Sequence, residues 1–214
     1  LPVYRALSTL LCVAEELPLL FMGQEWAAST PFQFFTDHNE DLGPRVTEGR
    51  KEEFADFSGF DGTVPDPQAP ATFERSVLRW DEPRRPPHDG VLALYRDLLA
   101  LRPGLEDSMH VEAPTDTTLV VDRPPVHVAV NLEGRARFDL PPGLTIGLHT
   151  EQGGYTSDPR PPSFAGDTLS VLRPGAAVLR PAWLPGTSSS LESLRSVYDV
   201  GGPVPLPSPV LARR

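Results

Sequence analysis

A single cysteine, Cys12, stands in 214 residues. It excludes an internal disulfide, and no Cys/His cluster has zinc-ligand spacing. Such thin cysteine usage fits a reducing compartment, and a cytoplasmic location is the expectation. No apolar run approaches the ~20 residues that cross a bilayer, and no basic stretch precedes an apolar core as a signal peptide requires. Cations are scarce too: 19 Lys and Arg against 29 Asp and Glu leave a formal net charge of -10. That balance argues against nucleic acid and anionic membranes as partners; a neutral ligand is compatible with it but not implied. The chain opens on Leu1 rather than Met, and residues 1–16 read as a helix from the middle of a domain, so a fragment or processed chain is expected. The 26 Pro and 17 Gly are plentiful and cluster in segments that read as loops.

The stretch around which the remainder is organised is Leu17 to His38, LPLLFMGQEWAASTPFQFFTDH. Leu17 to Met22 is a near-continuous apolar run, the pattern of a strand buried on both faces. At Gly23 the character changes, and Glu25, Trp26, Phe32, Phe34, Phe35, Asp37 and His38 follow within sixteen residues. Charged and ring-bearing side chains just beyond a buried strand mark the end of parallel α/β folds where ligands bind. Packing accounts for part of the same pattern: Gly23 as a turn residue, the rings as core, the carboxylates in ion pairs.

Around this stretch the chain reads in two styles. Leu1 to Glu15 has the spacing of an amphipathic helix, with Val3, Leu7, Leu10, Leu11 and Ala14 on one face. A connection of about 65 residues follows the strand, far beyond the usual two to six, and its aromatics argue against disorder. Short helices are expected there over Pro44 to Phe57 and Pro70 to Leu78, with a turn at Asp61-Gly62. Asp89 is a candidate cap for a helix with the stripe Val91, Leu94, Tyr95, Leu98, Leu99 and Leu101, ended by Pro103-Gly104; the stripe is expected against the strand at Leu17. After Gly104 the period becomes two. Strands are expected over Met109–Ala113, Thr117–Asp122, Val126–Leu132, Arg135–Leu140, Leu144–Thr150, Thr168–Leu172 and Ala176–Arg180, with Glu133-Gly134 as a hairpin turn. Short strands with Pro/Gly punctuation have the pattern of a β-sandwich. From Pro181 a Pro/Ser/Gly-rich tail runs to Arg214, with one helical turn conceivable over Leu191 to Val197.

LLFMGQEWAASTPFQFFTDH, with LGPRVTEGRKEEFADF and PDPQAPATFERSVLRW after it, resembles the malto-oligosyltrehalose trehalohydrolases of the α-amylase superfamily. G-x-E-W after an apolar strand is widespread there; STPFQFFTDH followed by EGRKEEF and DPQAPATFERS is far more specific. The motif-bearing match runs from about Leu17 to Arg102, and a weaker one reaches about Arg180; residues 183–214 have no counterpart. The resemblance implies an α/β plus all-β chain: the last repeat of a TIM (β/α)8 barrel in residues 1–104, then an antiparallel β-sandwich in residues 105–182. It implies cleavage of the α-1,4 bond beside the terminal trehalose unit of maltooligosyltrehalose, with neither a metal nor an organic cofactor. In that family the nucleophile, the acid/base Glu and a supporting Asp lie on earlier strands. This chain has no N-H-D and no matching G-x-R-x-D motif, so it is expected to hold no catalytic residue and to be inactive alone. The residues expected to touch an α-glucan are Glu25, Trp26, Phe34, Phe35, Asp37 and His38. For Glu25 the competing expectation is a salt bridge to a barrel arginine; for Trp26 it is packing beneath the loop. His88, His127, His149 and the charged run Glu48 to Glu53 are expected to be structural or solvated. Two alternatives stay open: another α-amylase-superfamily enzyme such as a branching enzyme, and a non-catalytic carbohydrate-binding module relying on Phe138, Tyr155 and Phe164.

Overall fold

The structure, a computed structural model, describes residues 1–55 and 64–183. These fall into two units: Leu1–Glu15 with Arg96–Thr150 and the described residues from Arg160, and Glu16–Tyr95 with Glu151–Pro159.

Eight strands build the first unit. They are β1 (His110–Thr115), β2 (Thr118–Arg123), β3 (Val126–Asn131), β4 (Ala136–Asp139), β5 (Leu144–His149), β6 (Ser163–Ala165), β7 (Thr168–Val171) and β8 (Gly175–Pro181). One sheet has the order β1-β2-β3-β8-β5 and the other β4-β7-β6. Every pair is antiparallel. All seven expected strands form; β6 was not expected, because three residues, Ser-Phe-Ala, are too few to display a period of two. Ala129, Ala177 and Leu179 of the larger sheet meet Phe138, Leu140, Leu169 and Val171 of the smaller in one buried cluster, the inner layer of a two-sheet sandwich. Each leucine, valine or phenylalanine of the cluster contributes about 1.5–3 kcal/mol when fully buried.

Strand β3 is buried on both faces, Ala129 and Asn131 as fully as Val128 and Val130. Its second face is covered by helix α1 (Pro2–Val13), which packs on β3 and β8. The expected Glu133-Gly134 hairpin does not form, because both edges of β3 are already paired, to β2 and to β8. The turn instead carries the chain from one sheet to the other. Asn131 steers it, donating its amide to the carbonyls of Gly134 (2.9 Å) and Arg173 (3.2 Å).

Helix α1 corrects the face read from its spacing. The side turned inward holds Arg5, Ala6, Ser8, Thr9, Cys12 and Val13, while Val3 and Leu7 are exposed. The inward polar groups are satisfied: Arg5 donates to the distant Thr150 carbonyl (2.9 Å), while Ser8 and Thr9 donate to the carbonyls of Tyr4 and Arg5 one turn back. At the helix end two arginines take up free carbonyls. Arg102 reaches the oxygens of Cys12 (2.7 Å) and Ala14 (2.8 Å), and buried Arg123 reaches those of Val13 (3.0 Å) and Ala14 (2.6 Å). Cations at a helix C-terminus satisfy orphan acceptors and oppose the helix dipole. Burial pushes the Cys12 thiol up to about 11, with Arg102 pulling weakly the other way.

In the second unit the strand expected over Leu17 to Met22 is absent. The segment has no regular structure, and Leu17 and Leu19 are 89% and 90% exposed. A strand needs a neighbour for its N–H and C=O groups, and among the described residues none runs beside this segment. Helices α2 (Gly43–Ala55) and α3 (Pro70–Ser76) form as expected. Helix α4 (His88–Leu101) begins one residue before the expected cap and ends at the expected Pro-Gly. Its stripe is fully buried at Val91, Leu94, Tyr95 and Leu98, not laid on Leu17 and Leu19, whose side chains face solvent. The expected helix end at Phe57, the Asp61-Gly62 turn and the tail from residue 184 lie outside the described residues.

Candidate functional site

The candidate residues all lie in the second unit, on the chain between Gly23 and Asn39. Gly23 begins this segment with φ +78°, and a Cβ there would stand 2.6 Å from the Ala28 Cβ. A 3-10 turn, Gln24–Trp26, follows. Ala28 and Trp26 donate their backbone N–H groups to the Gly23 carbonyl, at 2.8 and 3.4 Å. This fold of the backbone drives Trp26 inward while Glu25 stays half-buried. Trp26 packs on Trp80 with ring centroids 5.6 Å apart, and its buried Nε1 has no hydrogen-bond partner among the described residues. The structure thus places Trp26 beneath the loop, with Trp80 as the more open ring of the pair at 58% exposure.

The next stretch is fixed by Glu82. Ser29 donates its backbone N–H to one carboxylate oxygen (3.1 Å) and its hydroxyl to the other. Glu82 is buried, and these two bonds, the hydroxyl first, hold its carboxyl below the usual range despite the opposing pull of burial. Beside it, the His88 ring shares Nδ1 with the Trp26 carbonyl at 2.9 Å. A carbonyl only accepts, so Nδ1 carries a proton. His88 thereby ties the start of α4 to the 3-10 turn, a structural role.

From Phe32 onward the rings run in series. Phe21 meets Phe32 edge-on at 5.0 Å, Phe32 meets Phe35 at 5.9 Å, and Phe35 meets Phe73 of α3 edge-on at 5.1 Å. Phe35 is therefore a packing link. Phe34 turns away from this row, and the Arg50 guanidinium sits 4.8 Å from its ring centre and 4.7 Å from that of Phe54. Arg50 also pairs with Glu53 at 2.7 Å. Arg50, inside the charged run expected to be solvated, thus lies against two rings, an arrangement worth roughly 0.5–2 kcal/mol per ring. Asp37 and His38 are exposed, and their side chains make no hydrogen bond or ion pair among the described residues. Their backbone is held: Thr36 donates to the Pro67 carbonyl (2.9 Å) and His38 to Gln68 Oε1 (3.0 Å).

The structure thus brings Asp37, His38 and Phe34 to the surface of one loop and assigns Trp26 and Phe35 to packing. Sequence reasoning missed Ser29, Arg50, Gln68, Trp80 and Glu82. Only Glu82 carried a signal, as an acidic residue between Trp80 and a proline run. No group of His, Cys, Asp and Glu among the described residues could hold a metal ion, and none of the helices there is long and apolar enough to cross a membrane. Of the aromatics that a carbohydrate-binding module would display, Phe138 and Tyr155 are buried and Phe164 packs on the sandwich core.

No family model matches the sequence. Individual relatives do. A malto-oligosyltrehalose trehalohydrolase from Arthrobacter ramosus is 41% identical over 181 residues, 82% of this chain and 30% of that protein. Another from Deinococcus radiodurans is 64% identical over 86 residues, 40% of this chain and 14% of that protein. A third, from Saccharolobus solfataricus, is 31% identical over 100 residues. Among solved structures, a protein from Salmonella typhimurium provisionally described as an α-amylase matches with a TM-score of 0.66 and 31% identity, over 84% of this chain and 30% of that one. The trehalulose synthase of Pseudomonas mesoacidophila matches at a TM-score of 0.50 and 17% identity, over 84% of this chain and 38% of that one, a likeness of fold alone. The chain spans less than a third of the length of the curated relatives named here. Its sequence is thus similar to part of the malto-oligosyltrehalose trehalohydrolases, and its structure to part of a protein described as an α-amylase.

Proposed function

We propose that this chain is the C-terminal portion of an enzyme that cleaves the α-1,4-glucosidic bond next to the terminal trehalose unit of maltooligosyltrehalose, releasing trehalose and a shorter maltodextrin. The observation that carries this reading is the identity of 41% over 181 residues, 82% of this chain, to one such enzyme. A cytoplasmic α-glucan is the substrate, and no nucleic acid, membrane or cofactor takes part.

In this reading residues 1–104 complete a (β/α)8 barrel and residues 105–182 form the sandwich domain after it. Leu17 to Met22 becomes the last barrel strand once strands of the remaining chain flank it. The outward Val3 and Leu7 of α1, and the open Leu17 and Leu19, are the surfaces that the remaining barrel covers. Hydrolysis with retention uses two carboxylates ~5–5.5 Å apart, supplied by earlier strands. The role left to this chain is to hold sugar. Asp37 accepts from ring hydroxyls, His38 donates or accepts, Phe34 offers an apolar edge, and Glu25 and Trp26 line or support the same rim.

Product analysis tests the reading. A complete enzyme carrying this segment releases trehalose from maltooligosyltrehalose; formation of new branch points without trehalose would make it a branching enzyme instead.

A further inference from the structure

We infer that Gln68 is a positioning residue for the Asp37–His38 pair and thereby sets affinity for the sugar; the inference rests on the proposal that this pair touches substrate. The Gln68 carboxamide engages the loop at both of its ends. Its Oε1 accepts the backbone N–H of His38 at 3.0 Å, and its Nε2 donates to the Thr36 hydroxyl. The Pro67 carbonyl beside it accepts the N–H of Thr36 at 2.9 Å. Asp37 therefore lies between two residues that are each anchored to the Pro67-Gln68 backbone and side chain, while its own carboxylate and the His38 ring stay exposed.

The anchor is itself fixed. Asp66 accepts the backbone N–H of Gln68 (3.0 Å) and the hydroxyl of Thr47 on α2 (2.8 Å), and its carbonyl accepts the hydroxyl of Thr72 on α3 (2.7 Å). Space matters as well. A Cβ at Gly43, the first residue of α2, would stand 3.0 Å from Gln68 Oε1 and 3.3 Å from its Cδ. A side chain there requires the carboxamide to give way by a few tenths of an ångström, which lengthens its bonds to the loop. Two helices thus converge on Asp66, which holds the Gln68 backbone, and the Gln68 carboxamide in turn holds the Thr36 hydroxyl and the His38 N–H on either side of Asp37. Displacing a substrate-contacting pair weakens binding without removing the catalytic carboxylates, so the effect falls on KM and not on kcat.

Two measurements test this together. In the 214-residue chain, hydrogen exchange at the His38 amide is slow, becomes fast in Gln68→Ala, and stays slow in Gln68→Glu, which keeps an acceptor at that place. In a complete enzyme carrying this segment, Gln68→Ala and Gly43→Ala raise KM for maltooligosyltrehalose about three- to tenfold, the worth of one or two hydrogen bonds, with kcat within about twofold. A double-mutant cycle of Gln68→Ala with His38→Ala is non-additive in KM, because one loss is nested in the other. If Asp37→Asn and His38→Ala raise KM while Gln68→Ala does not, the inference falls and the sugar-contact reading survives. If neither Asp37→Asn nor His38→Ala moves KM, the sugar-contact reading falls and takes this inference with it. Protection of His38 that persists in Gln68→Ala also overturns it.

Discussion

Gly23 occupies a place that no other residue fills without strain. Its φ of +78° is open to glycine, and the 2.6 Å approach to the Ala28 Cβ leaves no room for a methyl group. Gly23→Ala should lower stability by about 1–3 kcal/mol, read as a drop in the urea midpoint at unchanged m-value. Glu82 makes a pH-dependent contribution. Its folded-state affinity for protons is depressed by the Ser29 hydroxyl first and the Ser29 N–H second, with His88 and Arg79 assisting. The unfolded chain therefore binds more protons in the acid range, and the contribution is full above the ordinary glutamate value of 4.5 and lost as pH falls below it. Urea midpoints taken from pH 6 to pH 3 should fall more steeply for the natural chain than for Glu82→Gln; parallel curves would contradict this. The special place of Gly23 was legible as a turn, because the residue closes an apolar run. The partnership of Ser29 with Glu82 was not, since 53 residues separate them and neither has a distinctive neighbour.

At the scale of elements, the strands were legible and the faces were not. Alternation of apolar residues with polar ones, cut by Pro and Gly, located seven strands within a residue or two at each end. It gave no sign that β3 would sit in the middle of its sheet with both faces covered, because alanine serves on either side of a buried layer. Helix α1 is the clearer case. Its periodicity marked Val3, Leu7, Leu10 and Leu11 as the buried stripe, yet the sheet takes the face with Ala6, Thr9 and Val13. Small residues on the inward face let the helix approach the sheet closely, while Val3 and Leu7 stay exposed. The C-terminal end of α1 depends on Arg123, whose guanidinium holds the carbonyls of Val13, Ala14 and Glu106. Arg123→Met should leave these acceptors unsatisfied and destabilise the sandwich unit by about 2 kcal/mol or more, measured by thermal unfolding followed at the β signal. A loss under ~0.5 kcal/mol would show that Arg102 alone suffices at that end.

For the whole molecule, the sequence carried the kinship and the sandwich but not the state of the segment from Leu17 to Met22. Apolar residues fit a buried strand, and burial is a property of the neighbours as much as of the segment; none is present among the described residues. The same limit applies to the site. Six residues were expected at the sugar; the structure leaves Asp37, His38 and Phe34 on the loop surface and uses Trp26 and Phe35 for packing. Leu17 and Leu19 in one unit, and Val3 and Leu7 in the other, are exposed, and exposed hydrophobic surface can mark an interaction site. Under the proposed function, the remainder of a trehalohydrolase barrel covers them. The decisive measurement is trehalose released from maltooligosyltrehalose by a chimera in which this chain replaces the matching segment of the Arthrobacter ramosus enzyme, with the isolated chain assayed beside it. The account predicts release by the chimera and none by the chain alone. A folded chimera that releases no trehalose would contradict it.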